Sequence, residues 1–317
     1  MLERKVFGSH LRRGRILNSG WSFLELPVAF AHPCGTRKSK CQLVRTGVTQ
    51  TGAPEIIVLL YHNILPPRAT LTEDIGSIPC DVLAEHFQIL GEAGFVNVPL
   101  AEAFEQIVDE RPQTGPPRFA VTFDDGYESL ARYLPSLTPV VRPAVFLLTD
   151  YLGQCSSTWN TRSPTKLRHL SLEQALQLAQ VGVDIEFHGV DHHNLLKFDG
   201  AELDERFRRG LTWFADHFGR HPRFLSYPYG ACNDRVQAAA ARYFDGAFSV
   251  THGAWRGERA RHAANRLSVS SFLRGEDLLA VVCSPPADRW HEQERRAPWR
   301  KGASRDLGHN VPRGPRS

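Results

Sequence analysis

The sequence predicts an α/β protein built as a single barrel of parallel strands, flanked by irregular basic tails. Short β-rich runs alternate with helical patterns from about residue 55 to residue 283, the mark of repeated βα units. The runs number eight, enough for a closed or nearly closed barrel. The 317 residues also exceed the ~250 of a typical α/β barrel and leave chain over at both ends.

In chain order the candidate strands are Ile56–Tyr61, Phe95–Val98, Phe119–Phe123, Ala144–Leu148, Val183–Phe187, Phe224–Tyr227, Ala247–Val250 and Leu267–Val269. Each is a short apolar run of the kind that is buried on both faces of a sheet. Asp81 opens a helix toward Gly94, and Ser171 with Gln174 makes a capping box for a helix reaching about Val181. From Ala201 to Phe218, Leu203, Phe207, Leu211, Phe214 and Phe218 fall at helical spacing and form one apolar stripe for the outside of the sheet. Leu278–Val282 reads as a last helix. The organisation expected is an irregular extension over 1–52, a barrel over 53–283 and a Pro/Arg-rich tail over 284–317, with no internal repeat.

Hydrophobic residues make up 42% and charged residues 23%, which excludes collagen-like, coiled-coil and wholly disordered chains. The formal charge of +4 divides unevenly. Residues 1–50 hold 9 Lys/Arg against 2 Asp/Glu and residues 284–317 hold 8 against 4, so of the 38 and 34 in the chain 21 and 28 remain between, a net −7. An acidic middle repels a phosphate backbone, so no nucleic-acid partner is expected. The longest aliphatic run, Ile56–Leu60, is far short of the ~20 residues of a membrane helix. No signal peptide is legible near the N-terminus, so export finds no support there. Cys34, Cys41, Cys80, Cys155, Cys232 and Cys283 lack metal-site or disulfide spacing and read as free thiols.

Catalytic groups of parallel α/β folds gather at the C-terminal ends of strands. One candidate strand runs into Asp124-Asp125-Gly126. Adjacent strand residues face opposite sides, so both carboxylates can address one site only if the chain bends, as Gly126 permits; a solvated Asp-Gly turn is the plain alternative. A second strand ends in His188-Gly189-Val190-Asp191-His192-His193. His188 and His192, four apart, could share a metal with one aspartate, and three protein ligands leave a position open for water, as catalytic sites do. A third ends in Tyr227-Pro228-Tyr229-Gly230, read as an aromatic wall for a sugar ring with a backbone N–H for an oxyanion, or as an ordinary turn. His62 ends the first strand, where a lone histidine could equally be structural.

Thr122-Phe123-Asp124-Asp125-Gly126, His188-Gly189-Val190-Asp191-His192 and Tyr227-Pro228-Tyr229-Gly230, in that order, resemble the motifs of the NodB-like polysaccharide deacetylases, carbohydrate esterase family 4. The likeness runs from Tyr61-His62 to Asn265-Arg266-Leu267-Ser268-Val269. It implies a distorted (β/α) barrel of seven to eight strands that removes acetyl groups from an acetylated glycan, N-acetyl ahead of O-acetyl, with one divalent metal. Zinc is the expected ion, and the His₂Asp set also suits cobalt or nickel. By resemblance Asp125, His188 and His192 are the metal ligands, with His193 as alternative to His192. Asp124 is the general base, and Tyr229 lends its backbone N–H. Tyr227, Pro228, Gly230 and Arg266 are placed on the substrate side.

Two positions depart from the family pattern. Tyr227 stands where many members carry an arginine that orients the base, and Arg266 could compensate from a later strand. No histidine lies near the last helix to act as general acid, and His62 fills that role as in the poly-N-acetylglucosamine deacetylase branch, to which the chain is most similar. The rival readings are a glycan-binding barrel without catalysis and a metal-dependent hydrolase of another ester. A monomer is expected.

Overall fold

Strand β1 (Ile56–Tyr61) is buried along its whole length, as a strand covered on both faces must be. The structure, a computed structural model, describes residues 56–69, 76–108, 115–155, 166–251, 261–269 and 271–283. The tails expected over 1–52 and 284–317, with Cys34 and Cys41, lie outside these residues. Cys80, Cys155, Cys232 and Cys283 are free thiols. No described helix is long and apolar enough to cross a membrane.

Next come β2 (Asn63–Leu65), β3 (Ser77–Pro79), α1 (Cys80–Glu92), β4 (Val96–Asn97), α2 (Leu100–Val108) and β5 (Arg118–Phe123). They are followed by α3 (Ser129–Leu137), β6 (Pro143–Leu147), α4 (Leu172–Gln180), β7 (Asp184–Phe187), α5 (Gly200–Phe218) and β8 (Phe224–Ser226). The chain continues through α6 (Asp234–Ala240), β9 (Gly246–Phe248), β10 (Leu267–Ser268) and α7 (Glu276–Val282). The principal sheet is parallel throughout, in the order β10-β1-β5-β6-β7-β8-β9, with β4 beside β5. Each of its strands overlaps a run predicted from sequence. The pair β2–β3 does not, because three-residue strands are too short to carry an alternation.

The sheet curls into a distorted barrel, and residues 261–269 connect its two edges. Ala264 bridges to Phe248 of β9, while Leu267 and Ser268 pair with Leu59 and Leu60 of β1. The alternation of side chains then sorts two apolar layers. Ile56, Val58, Ala120, Ala144, Phe146, Phe224 and Phe248 fill the interior with Phe104 of α2, whose ring lies 4.9 Å from Phe224. Leu59, Val121, Val145, Ile185 and Phe187 face outward to the helices. On α5 the predicted stripe buries Leu203, Phe207 and Phe214, and the Ser171–Gln174 capping box opens α4 as expected.

The same alternation lifts the polar residues above the apolar floor. Thr122 and Asp124 continue the inward phase of β5, His188 that of β7 and Ser226 that of β8. Arg266, two residues beyond Ala264, enters at the same level.

Candidate active site

Asp124 follows β5, and its N–H donates to Tyr61 O at 3.0 Å, prolonging the ladder to β1 by one bond. Its carboxylate, 2% exposed, is gripped by Arg266: Nη1 donates to Oδ1 at 2.8 Å and Nη2 to Oδ2 at 2.7 Å. The Ser226 hydroxyl donates to Oδ2 at 2.8 Å and accepts from Arg266 Nη2 at 2.8 Å. Arg266 Nε donates to Ser249 O at 3.0 Å, and the guanidinium lies over the rings of Phe146 and Phe248. Burial alone would raise the Asp124 pKa, but the charge of Arg266, then that of His188, outweighs it and holds the group near 2. Asp124 is therefore ionised at neutral pH.

Asp125 has φ 68°, and Gly126 follows at φ 64°. A left-handed conformation at a residue other than glycine costs about 1–2 kcal/mol. What it achieves here is the bend that brings two consecutive carboxylates to one rim. A Cβ on Gly126 would sit 2.6 Å from Leu147 Cδ2, the movable end of that side chain, so it is chiefly the positive φ that favours glycine here.

Asp125 Oδ1 lies 3.2 Å from His188 Nε2 and 3.3 Å from His192 Nε2, all three residues being buried. His188 Nδ1 donates to Ser226 O at 2.8 Å, since a carbonyl can only accept. In its neutral form His188 therefore turns the lone pair of Nε2 toward Asp125, the form in which it could hold a cation. No hydrogen bond reaches the buried Asp125 Oδ1 among the described residues. A buried carboxylate oxygen opposite an imidazole nitrogen calls for a cation between them, a metal ion or, in its absence, a proton on Nε2. Tetrahedral bonds of ~2.0–2.1 Å set donor atoms roughly 3.3 Å apart, which the observed separations match.

Without an ion, the charges of the cluster and its burial shift all three groups. Burial pushes the Asp125 pKa up, but His188 and His192 hold it well below the usual carboxylate range. Burial pulls His188 down, yet Asp124 and then Asp125 raise it above its ordinary value. At His192 burial prevails over Asp125 and lowers the pKa to about 4, which leaves a neutral imidazole at pH 7. His193 stands apart, with its side chain 58% exposed and Nδ1 3.0 Å from Asp191 Oδ2. Of the two alternatives, only His192 joins Asp125 and His188.

The third motif differs from expectation. Tyr227 is fully buried and its hydroxyl donates to His262 O at 2.8 Å, so its ring is core and offers no wall to a sugar. Pro228 is buried as well. Gly230 has φ 64°, and a Cβ there would meet Val250 N at 2.6 Å; packing, not substrate contact, selects glycine. Arg266 is sealed beneath Asp124 and orients it, the compensating part considered for it from the sequence, and it does not face a substrate. Tyr229 is the member of the turn at the surface, 54% exposed, with its ring 4.5 Å from that of His192. His62 follows β1 and is felt electrostatically by Asp124, Asp125 and His192.

Two participants escape a sequence reading. Ser226 joins the base to His188 through hydroxyl and carbonyl, and its only signal is a small polar residue in the inward phase of an apolar strand. His169 is buried with Nδ1 2.7 Å from Asp125 O, and it lies in Leu167-Arg168-His169-Leu170, which carries no motif.

Residues 111–244, which include Asp124, Asp125, His188, His192 and the Tyr227–Gly230 turn, match the family model for polysaccharide deacetylases. That segment is thus similar to the polysaccharide deacetylases. Among curated proteins this chain is similar to YxkH of Bacillus subtilis (strain 168), which bears a polysaccharide deacetylase name: 23% identity over 229 residues, 71% of this chain and 75% of that one. Solved structures similar to it include IcaB from Ammonifex degensii, with TM-score 0.61 and 21% identity over 74% of this chain and 98% of the other. The Streptococcus pyogenes deacetylase PplD in complex with acetate gives 0.60 and 19% over 73% and 98%. These structures share the fold of this barrel. His62 and Arg266 lie outside the matched segment, so their place in the site rests on the structure of this chain.

Proposed function

We propose that this chain hydrolyses acetyl groups on a carbohydrate, N-acetyl in preference to O-acetyl, with one divalent metal ion held by Asp125, His188 and His192. The observation that carries the reading is the convergence of Asp125 Oδ1 with two imidazole Nε2 atoms beside an ionised carboxylate that is not part of the cluster. Zinc is the ion proposed, and cobalt or nickel suit the same donors. When bound, such an ion acidifies water and polarises a carbonyl oxygen.

The remaining work falls to the chain. Asp124 accepts the proton of the attacking water. Arg266 and Ser226 fix its oxygens, and its depressed pKa keeps it ionised across the neutral range. A base so placed contributes ~10²–10⁴-fold. The Tyr229 backbone N–H stabilises the oxyanion, a donor worth ~10²–10³-fold. His62 protonates the leaving nitrogen. An amine departs poorly without a proton, which is why a histidine at the end of β1 favours amide over ester cleavage.

The test is acetate release from chitin, peptidoglycan, xylan and poly-N-acetylglucosamine fragments with added zinc, cobalt or nickel. Release from N-acetylated fragments that stops with chelator and returns with metal is the expected result. Metal-loaded protein that frees no acetate from any of them would overturn the proposal.

A further inference from the structure

His169 takes no part in the chemistry above, yet it is almost completely buried beside the site. Its Nδ1 lies 2.7 Å from the backbone oxygen of Asp125. A carbonyl oxygen only accepts, so Nδ1 carries the proton and donates. That bond falls where β5 has ended and the sheet no longer holds the chain. Asp124 N–H still bonds to Tyr61 O of β1, but the next carbonyl, that of left-handed Asp125, turns to His169.

The segment around His169 fastens the rest of the turn. Leu170 N–H donates to Gly126 O at 2.8 Å and Glu128 N–H to Arg168 O at 2.8 Å. His169 is itself anchored, its own N–H donating to Gln154 O at 2.8 Å and its ring lying 5.0 Å from that of Tyr127 and 5.4 Å from that of Tyr151. One imidazole bond thus holds the carbonyl of the single residue whose left-handed backbone aims Oδ1 at His188 and His192.

We propose that His169 is a positioning residue for the metal ligand Asp125, fixing the left-handed turn through its Nδ1–H bond and so the bite of the three-donor set. The inference rests on the reading of Asp125, His188 and His192 as a metal site. Partners that orient ligands in this way are commonly worth 10–100-fold in metal affinity.

The experiment compares the wild-type chain with His169→Phe, His169→Asn and His169→Gln, each purified without metal and titrated with zinc against a chromogenic chelator and with cobalt by visible absorption. Asparagine sets an amide nitrogen near the place of Nδ1, whereas glutamine sets it near Nε2. Zinc affinity should fall ~10–100-fold in H169F and H169Q, with an altered cobalt spectrum, and recover in H169N. Equal zinc affinity and identical cobalt spectra in wild type, H169F and H169Q would overturn the role of His169. So would equal losses in H169N and H169Q, and that comparison decides the matter even if H169F fails to fold. Asp125→Ala serves as control: if wild type and D125A bind zinc alike, the metal reading fails; if D125A alone loses zinc, only the inference about His169 fails.

Discussion

Replacing Arg266 by methionine should unmask the cost of a buried base. In the intact protein the guanidinium satisfies both oxygens of Asp124, a group burial would otherwise push toward protonation. Removing one partner of a buried ion pair commonly costs about 3–5 kcal/mol, because the other charge is left without compensation. The sign of the pH dependence follows from the carboxylate. Its folded pKa, near 2, lies below the ordinary 3.8, so the pair contributes stability present above about pH 4 and lost as pH falls toward 2. That difference corresponds to about 2 kcal/mol. In R266M the folded pKa moves above the ordinary value, so the variant is penalised most at neutral pH and the penalty fades on acidification. Urea unfolding of metal-free protein at pH 7 and pH 4 measures both terms, and the acid limb of kcat/KM should shift to higher pH. The double variant D124N/R266M should be more stable than R266M, because no charge remains buried. A loss below about 1 kcal/mol that is independent of pH, with no relief in the double variant, would refute the reasoning.

Asp124→Asn should retain zinc, since the metal donors are untouched, and lose ~10²–10⁴-fold in acetate release, read by equilibrium dialysis alongside initial rates. His192→Ala should abolish stoichiometric zinc binding, whereas His193→Ala, at an exposed ring paired with Asp191, should leave it unchanged; both are read by metal analysis after gel filtration. Tyr227→Phe should cost about 1 kcal/mol of stability for the lost bond to His262 O and leave KM alone, checked by thermal melting and steady-state kinetics.

The strands and the location of the site were legible because they obey local rules. Apolar runs such as Ile56–Tyr61 and Phe119–Phe123 are buried on both faces and read as such, and strand ends are where this architecture gathers polar groups. Asp124, Asp125, His188 and His192 could be picked out because they interrupt apolar runs together. What the sequence hid are the roles set by phase and by distance along the chain. Tyr227 read as a surface aromatic although its strand phase sends it into the core. His169 reaches Asp125 from 44 residues away, a separation over which no periodicity carries information, and Arg266, 142 residues from Asp124, could be considered as its partner only through the resemblance. Spacing does not separate His192 from His193; the structure does, with His192 at φ 57° beside Asp125 and His193 at the surface against Asp191.

Zinc stoichiometry measured on the same samples as acetate release tests the central claim most directly. Metal-free protein titrated with zinc should bind one ion per chain, and acetate release from an N-acetylated glucosamine oligomer should rise in step and level off at one equivalent. Undiminished release from protein shown to be metal-free would contradict it.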